Sequence, residues 1–120
     1  MNTTLKIFIV DDEVDFLAVI ERTLTVKGFE VRVFSDAFDL FDALEKSTPD
    51  IILTDIMMPV MSGHSLGHHL KTKHPNINVA IISGLEPETH KDRMDFWGEN
   101  TPYFQKPLDM DALLKYLKSL

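Results

Sequence analysis

The sequence predicts an α/β domain: five parallel strands in the order 2-1-3-4-5, with helices on both faces of the sheet. Two observations carry this. Strand-like runs alternate with helix-period segments five times, and crossovers of that length join parallel strands. Three of the runs are apolar, as strands covered on both faces must be, whereas the second alternates and belongs near a sheet edge. That arrangement is flavodoxin-like, and in it ligands bind beyond the carboxyl ends of the strands.

Residues 5–10 form the first strand, an apolar run broken by Lys6 and closed by Asp11-Asp12-Glu13. Over 15–27, Phe16, Leu17, Ile20 and Leu24 recur at helical spacing, and Gly28 supplies the stop. Residues 29–34 alternate, with Phe29, Val31 and Val33 against Glu30 and Arg32, which makes a half-exposed strand. Ser35 is the expected cap of the next helix; Asp36 and Asp39 sit near its positive end, and Leu40, Phe41 and Leu44 form its apolar face. Ile51–Thr54 is the third strand and Asp55 follows it at once; Pro59, Ser62 and Gly63 then break the chain. Gly63–Lys73 reads as a helix with Leu66 and Leu70 inward, closed by Pro75. Residues 79–82 are a buried strand ending in Ser83-Gly84. A helix over 87–97 has a thin apolar pattern, gathered in Met94, Phe96 and Trp97. Residues 102–105 are a short strand running into Lys106-Pro107. Asp109 caps a last helix whose core face is Met110, Leu113, Leu114 and Leu117.

A chain of 120 residues suits one domain with one core, here residues 1–120, and its 44% hydrophobic content is ordinary for a globular protein. The formal net charge of −7 disfavours nucleic acid and anionic membrane as direct partners. No cysteine is present, so disulfides and thiolate metal sites are excluded. The apolar run near the start is too short for a signal peptide, and nothing downstream is long enough to span a membrane.

The predicted topology gathers four loops at one sheet edge, carrying Asp11-Asp12, Asp55, Ser83 and Lys106. Crowding Asp11, Asp12 and Asp55 costs Coulomb repulsion unless a hard divalent cation sits among them, and carboxylate oxygens with water are what Mg²⁺ takes. Lys106 adds a point charge suited to a phosphoryl oxygen, and Ser83 adds a hydroxyl. Together these residues describe a site for a phosphoryl group, with Asp55 as the acceptor.

The acidic pair after the first strand, the run Asp55-Ile56-Met57-Met58-Pro59, Ser83 after the fourth strand, and Tyr103 with Lys106-Pro107 resemble the CheY-like receiver domain of two-component response regulators. The likeness covers nearly the whole chain. It implies that Asp55 takes a phosphoryl group from a phosphohistidine on a sensor histidine kinase or phosphotransfer protein. It implies Mg²⁺ on Asp12 and Asp55, with Asp11 helping in part through water and the backbone carbonyl of Met57 as a further ligand. Ser83 would move to bond the phosphoryl group, Tyr103 would turn inward behind it, and the Lys106–Pro107 bond would be cis. A downstream partner or effector domain would use the face made by the helix over 87–97, the fifth strand and the last helix. A cytoplasmic location goes with the family. Met1 stands close ahead of the first strand, which fits a stand-alone receiver or the first domain of a longer regulator. Residues 96–102 are bulkier than the Ala/Gly-rich helix end usual there.

Other chemistries leave other signatures. A phosphohydrolase with an Asp nucleophile after its first strand would use Asp11 and Glu13, which fit its pattern loosely. A flavin mononucleotide carrier needs a Ser/Thr/Gly loop after that strand, where Asp11-Asp12-Glu13 would repel phosphate. A phosphorylation-independent interaction module remains an alternative, although such modules often lack a site residue. His64 and His68 are four apart, as in a two-ligand metal face, but no acid on their helix completes a site, so they read as a solvated face. His69, His74 and His90 also read as surface. Trp97 and Tyr103 are expected on a contact surface, and Phe96 in the core.

Overall fold

The computed structural model describes residues 4–55, 63–84 and 101–120, and for Gly63 and His64 the backbone alone. Within them β1 (Lys6–Val10), β2 (Glu30–Phe34), β3 (Ile51–Thr54), β4 (Asn78–Ser83) and β5 (Tyr103–Gln105) form one parallel sheet in the order β2-β1-β3-β4-β5. Four helices are described: α1 (Val14–Val26), α2 (Ala37–Leu44), α3 (Gly63–Lys73) and α4 (Met110–Lys118). The helix expected over 87–97, with Phe96 and Trp97, lies outside the described residues, as does Met57. No helix among the described residues is long and apolar enough to cross a membrane.

Two packed layers follow from the period-two geometry of strands. Phe8, Val10, Ile52 and Ile81 point to one face and meet Leu40 and Leu44 of α2 and Leu66 and Leu70 of α3. Ile7, Ile9, Ile51, Leu53, Ala80 and Ile82 point to the other and meet Leu17, Ile20 and Leu24 of α1 and Leu113 and Leu117 of α4. Both faces of the central strands are therefore dry, which is why their sequences are apolar runs rather than alternations. β2 is an edge strand, and its alternation is real: Glu30 and Arg32 are exposed. Arg32 lies over the rings of Phe8 and Phe34, at 5.6 and 5.3 Å, so its stem and guanidinium cover apolar edge surface.

Local signals set most of the boundaries. Gly28 follows α1 with φ of +99°, a conformation that an L side chain rarely adopts. Asp109 caps α4 as expected, its carboxylate accepting from the Ala112 amide at 3.1 Å. The cap of α2 is Asp36 rather than Ser35. Asp36 has the extended backbone of a cap, and its Oδ1 accepts from the Asp39 amide at 2.9 Å. The amino ends of the strands are pinned by Asp50, whose carboxylate accepts from the Lys6 amide at 2.7 Å while its own amide donates to the Lys6 carbonyl at 2.8 Å.

Candidate functional site

The carboxyl edge of the sheet brings together Asp11 after β1, Asp55 after β3, Ser83 at the end of β4 and Lys106 after β5. Backbone hydrogen bonds run one residue past the strands to reach three of them. The Asp11 amide donates to Phe34 at 3.1 Å, that of Asp55 to Val10 at 3.1 Å, and that of Lys106 to Ser83 at 2.7 Å. Each of these side chains thus leaves from backbone that is still part of the ladder. The Lys106–Pro107 peptide is cis.

Asp11, Asp55 and Ser83 are buried, at 1%, 6% and 1% exposure, whereas Asp12 is exposed. Asp11, Asp12 and Asp55 each offer a carboxylate oxygen, and these oxygens lie within 4.8 Å of one another. Lys106 faces them, 2.7 Å from Asp11 Oδ2 and 3.7 Å from Asp55 Oδ2. Burial pushes the Asp11 carboxyl above its ordinary value; bonds from Lys106 and from the Glu13 amide oppose that rise, and the charge of Asp55 adds to it. Burial would lower the Lys106 ammonium, but hydrogen bonds to Asp11 and Glu13 and the nearby carboxylates raise it overall. The oxygen-only donor set, two of its members buried against each other's charge, fits a small hard cation.

Tyr103 departs from expectation. It is half-buried, packs against the core layer that contains Phe8 and Ile81, and shares a side-chain hydrogen bond with Ser83. Burial pushes its phenol above the ordinary value, with the Asp55 charge adding to that effect and the Ser83 bond opposing it. It is therefore turned toward the site rather than displayed as a contact residue. His69 is also less exposed than expected: its ring stacks on Phe41 at 3.8 Å. Among the described residues, the acidic trio is the one grouping of three or more possible metal ligands, and the His64 side chain of the His64/His68 pair lies outside the described residues.

Two further residues line the site, in roles that the sequence does not assign them. Glu13 Oε1 lies 2.9 Å from Lys106 Nζ, and the Phe16 ring centroid lies 4.3 Å from the same ammonium. Phe16 reads in the sequence as one more member of the α1 apolar face. The available signal was the third acid in the Asp11-Asp12-Glu13 run, too many for one short strand end without a cation to face.

Residues 7–118 match the family model of the response regulator receiver domain. The chain belongs to this receiver domain family. The receiver is 32% identical over 116 residues to the DNA-binding transcriptional regulator NtrC of Proteus hauseri, covering 94% of this chain and 24% of that protein. It is 35% identical over 107 residues to the NtrC of Klebsiella pneumoniae, covering 87% of this chain and 22% of that protein. The chain thus spans about a quarter of the length of these relatives. The chemotaxis response regulator CheY4 of Vibrio cholerae shares the fold at a TM-score of 0.85 and 26% identity, with 98% of each chain covered.

Proposed function

We propose that this receiver is a phosphoacceptor switch in which Asp55 takes a phosphoryl group from a phosphohistidine on a sensor histidine kinase or phosphotransfer protein. The supporting observation is a buried Asp55 whose oxygen lies within 4.8 Å of those of Asp11 and Asp12, with Lys106 3.7 Å away. An Asp55 oxygen attacks phosphorus, forming the acyl phosphate. The P–N bond breaks, and its electron pair returns to the imidazole ring. Asp11, Asp12 and Asp55, together with the Met57 carbonyl, would hold Mg²⁺, which when bound offsets the negative charge of the site and of the phosphoryl oxygens. Lys106 then donates to a phosphoryl oxygen, and Ser83 offers its hydroxyl to another. Ser83 carries Tyr103 with it through their shared bond. A face that includes β5 and α4 would present the result to a downstream partner or effector domain, in a cytoplasmic setting.

The test is intact mass after incubation with Mg²⁺ and acetyl phosphate or a phosphohistidine donor. One phosphoryl adduct is expected on the wild type, and none on Asp55→Asn or in excess chelator. Undiminished labelling of the variant would remove Asp55 from this role.

A further inference from the structure

Lys106 is the cation facing the carboxylates, yet its ammonium is not centred on Asp55. It lies 2.7 Å from Asp11 and 2.9 Å from Glu13, but 3.7 Å from Asp55. The Phe16 ring closes another side, with its centroid 4.3 Å from the nitrogen. An ammonium has three donors, and two of them are committed to Asp11 and Glu13. Glu13 also occupies the N-cap position of α1, but its side chain makes no capping bond. Its carboxylate, 61% exposed, is directed to Lys106 instead.

We infer that Glu13 is a positioning residue that holds Lys106 back from Asp55. Modification of Asp55 then requires Lys106 to exchange the Glu13 carboxylate for a phosphoryl oxygen. This rests on the reading of Asp55 as the phosphoacceptor. Asp11 differs, because it offers an oxygen to the trio that a cation would share, whereas Glu13 stands outside that trio. Releasing the grip of Glu13 should therefore favour the modified state. Its charge alone would also repel an incoming anion, and Glu13→Asp separates the two effects. Aspartate keeps the charge but draws the carboxylate back by roughly 1.5 Å, one carbon–carbon bond, beyond hydrogen-bond reach of Nζ.

The experiment compares wild type, Glu13→Gln, Glu13→Asp and Asp15→Asn. Asp15 is an exposed first-turn acid of α1 outside the ion pairs of Lys106, so it controls for net charge. The first measurement is the Lys106 ammonium resonance in ¹H–¹⁵N spectra without donor or Mg²⁺. It should shift or broaden in both Glu13 variants and stay in place in Asp15→Asn. The second is the Kd for beryllium trifluoride, a phosphoryl mimic, with Mg²⁺ present. Both Glu13 variants should bind about two- to fivefold tighter, the span expected from releasing an exposed ion pair, and Asp15→Asn should match wild type. An unmoved ammonium resonance overturns the inference. So does tightening in Glu13→Gln without Glu13→Asp, equal tightening in Asp15→Asn, or weaker binding in both Glu13 variants. Failure of the phosphoacceptor reading would look different: Asp55→Asn would take up beryllium trifluoride as well as wild type, while the ammonium spectrum still reported on the Glu13 contact.

Discussion

Ser83 and Tyr103 are already in contact before any group is added to Asp55. A bond from Ser83 to a phosphoryl oxygen moves its hydroxyl, and that movement reaches Tyr103 through the bond they share. Ser83→Ala should leave labelling of Asp55 possible and shrink the response of Tyr103 to it. Tyr103 side-chain NMR shifts with and without beryllium trifluoride measure this. A full-sized response in the variant would show that the signal takes another route. The chemical identities of the site residues were readable in the sequence, because each is the first polar residue after an apolar strand or nearly so. Their mutual contacts were not. Whether Tyr103 faces water or the site depends on β5 being short and half-covered, and whether Phe16 meets a leucine or an ammonium depends on how α1 rolls against the sheet. Neither is encoded in spacing.

At the scale of elements, caps and core faces set the boundaries. Asp109 fastens the start of α4, and α4 contributes Leu113 and Leu117 to the layer shared with α1. Asp109→Ala should cost about 1 kcal/mol of folding stability. For a domain of this size that is a fall of roughly 3–6 °C in Tm. Chemical denaturation reads the effect, and an unchanged midpoint would mean that the bond to Ala112 contributes nothing net. β1, β3 and β4 were recognisable because burial on two faces leaves mostly apolar residues acceptable there, and β2 because an edge tolerates alternation. The α2 cap lies one residue beyond the expected Ser35. Ser35 and Asp36 are both good caps, and only the backbone turn decides which one reaches the amide three residues on.

For the whole molecule, the acidic trio opposes folding when nothing shares its charge. A ligand that binds only the folded state stabilises it by mass action, about 2.7 kcal/mol at a hundredfold excess over Kd. Mg²⁺ should therefore raise the denaturation midpoint of the wild type. Asp55→Asn should be more stable than wild type in chelator, because one of the crowded charges is gone, and should gain less from Mg²⁺. A midpoint indifferent to millimolar Mg²⁺ in the wild type would count against the metal assignment. The strand order was legible because crossover length leaves few ways to wind a parallel sheet.

The ladder bonds at Asp11, Asp55 and Lys106 have a mechanical consequence. The backbone that carries these side chains is braced by the neighbouring strand on the same rung that would otherwise end the sheet. Such a rung resists displacement, because moving it breaks pairing with the neighbouring strand, and at Asp11 and Asp55 the strand beneath is dry on both faces. The sheet edge then acts as a fixed bench. Chemistry performed on it cannot be relayed by bending the bench, and must leave through the parts resting on top: rotating side chains such as Tyr103, and the loops that start where the pairing stops.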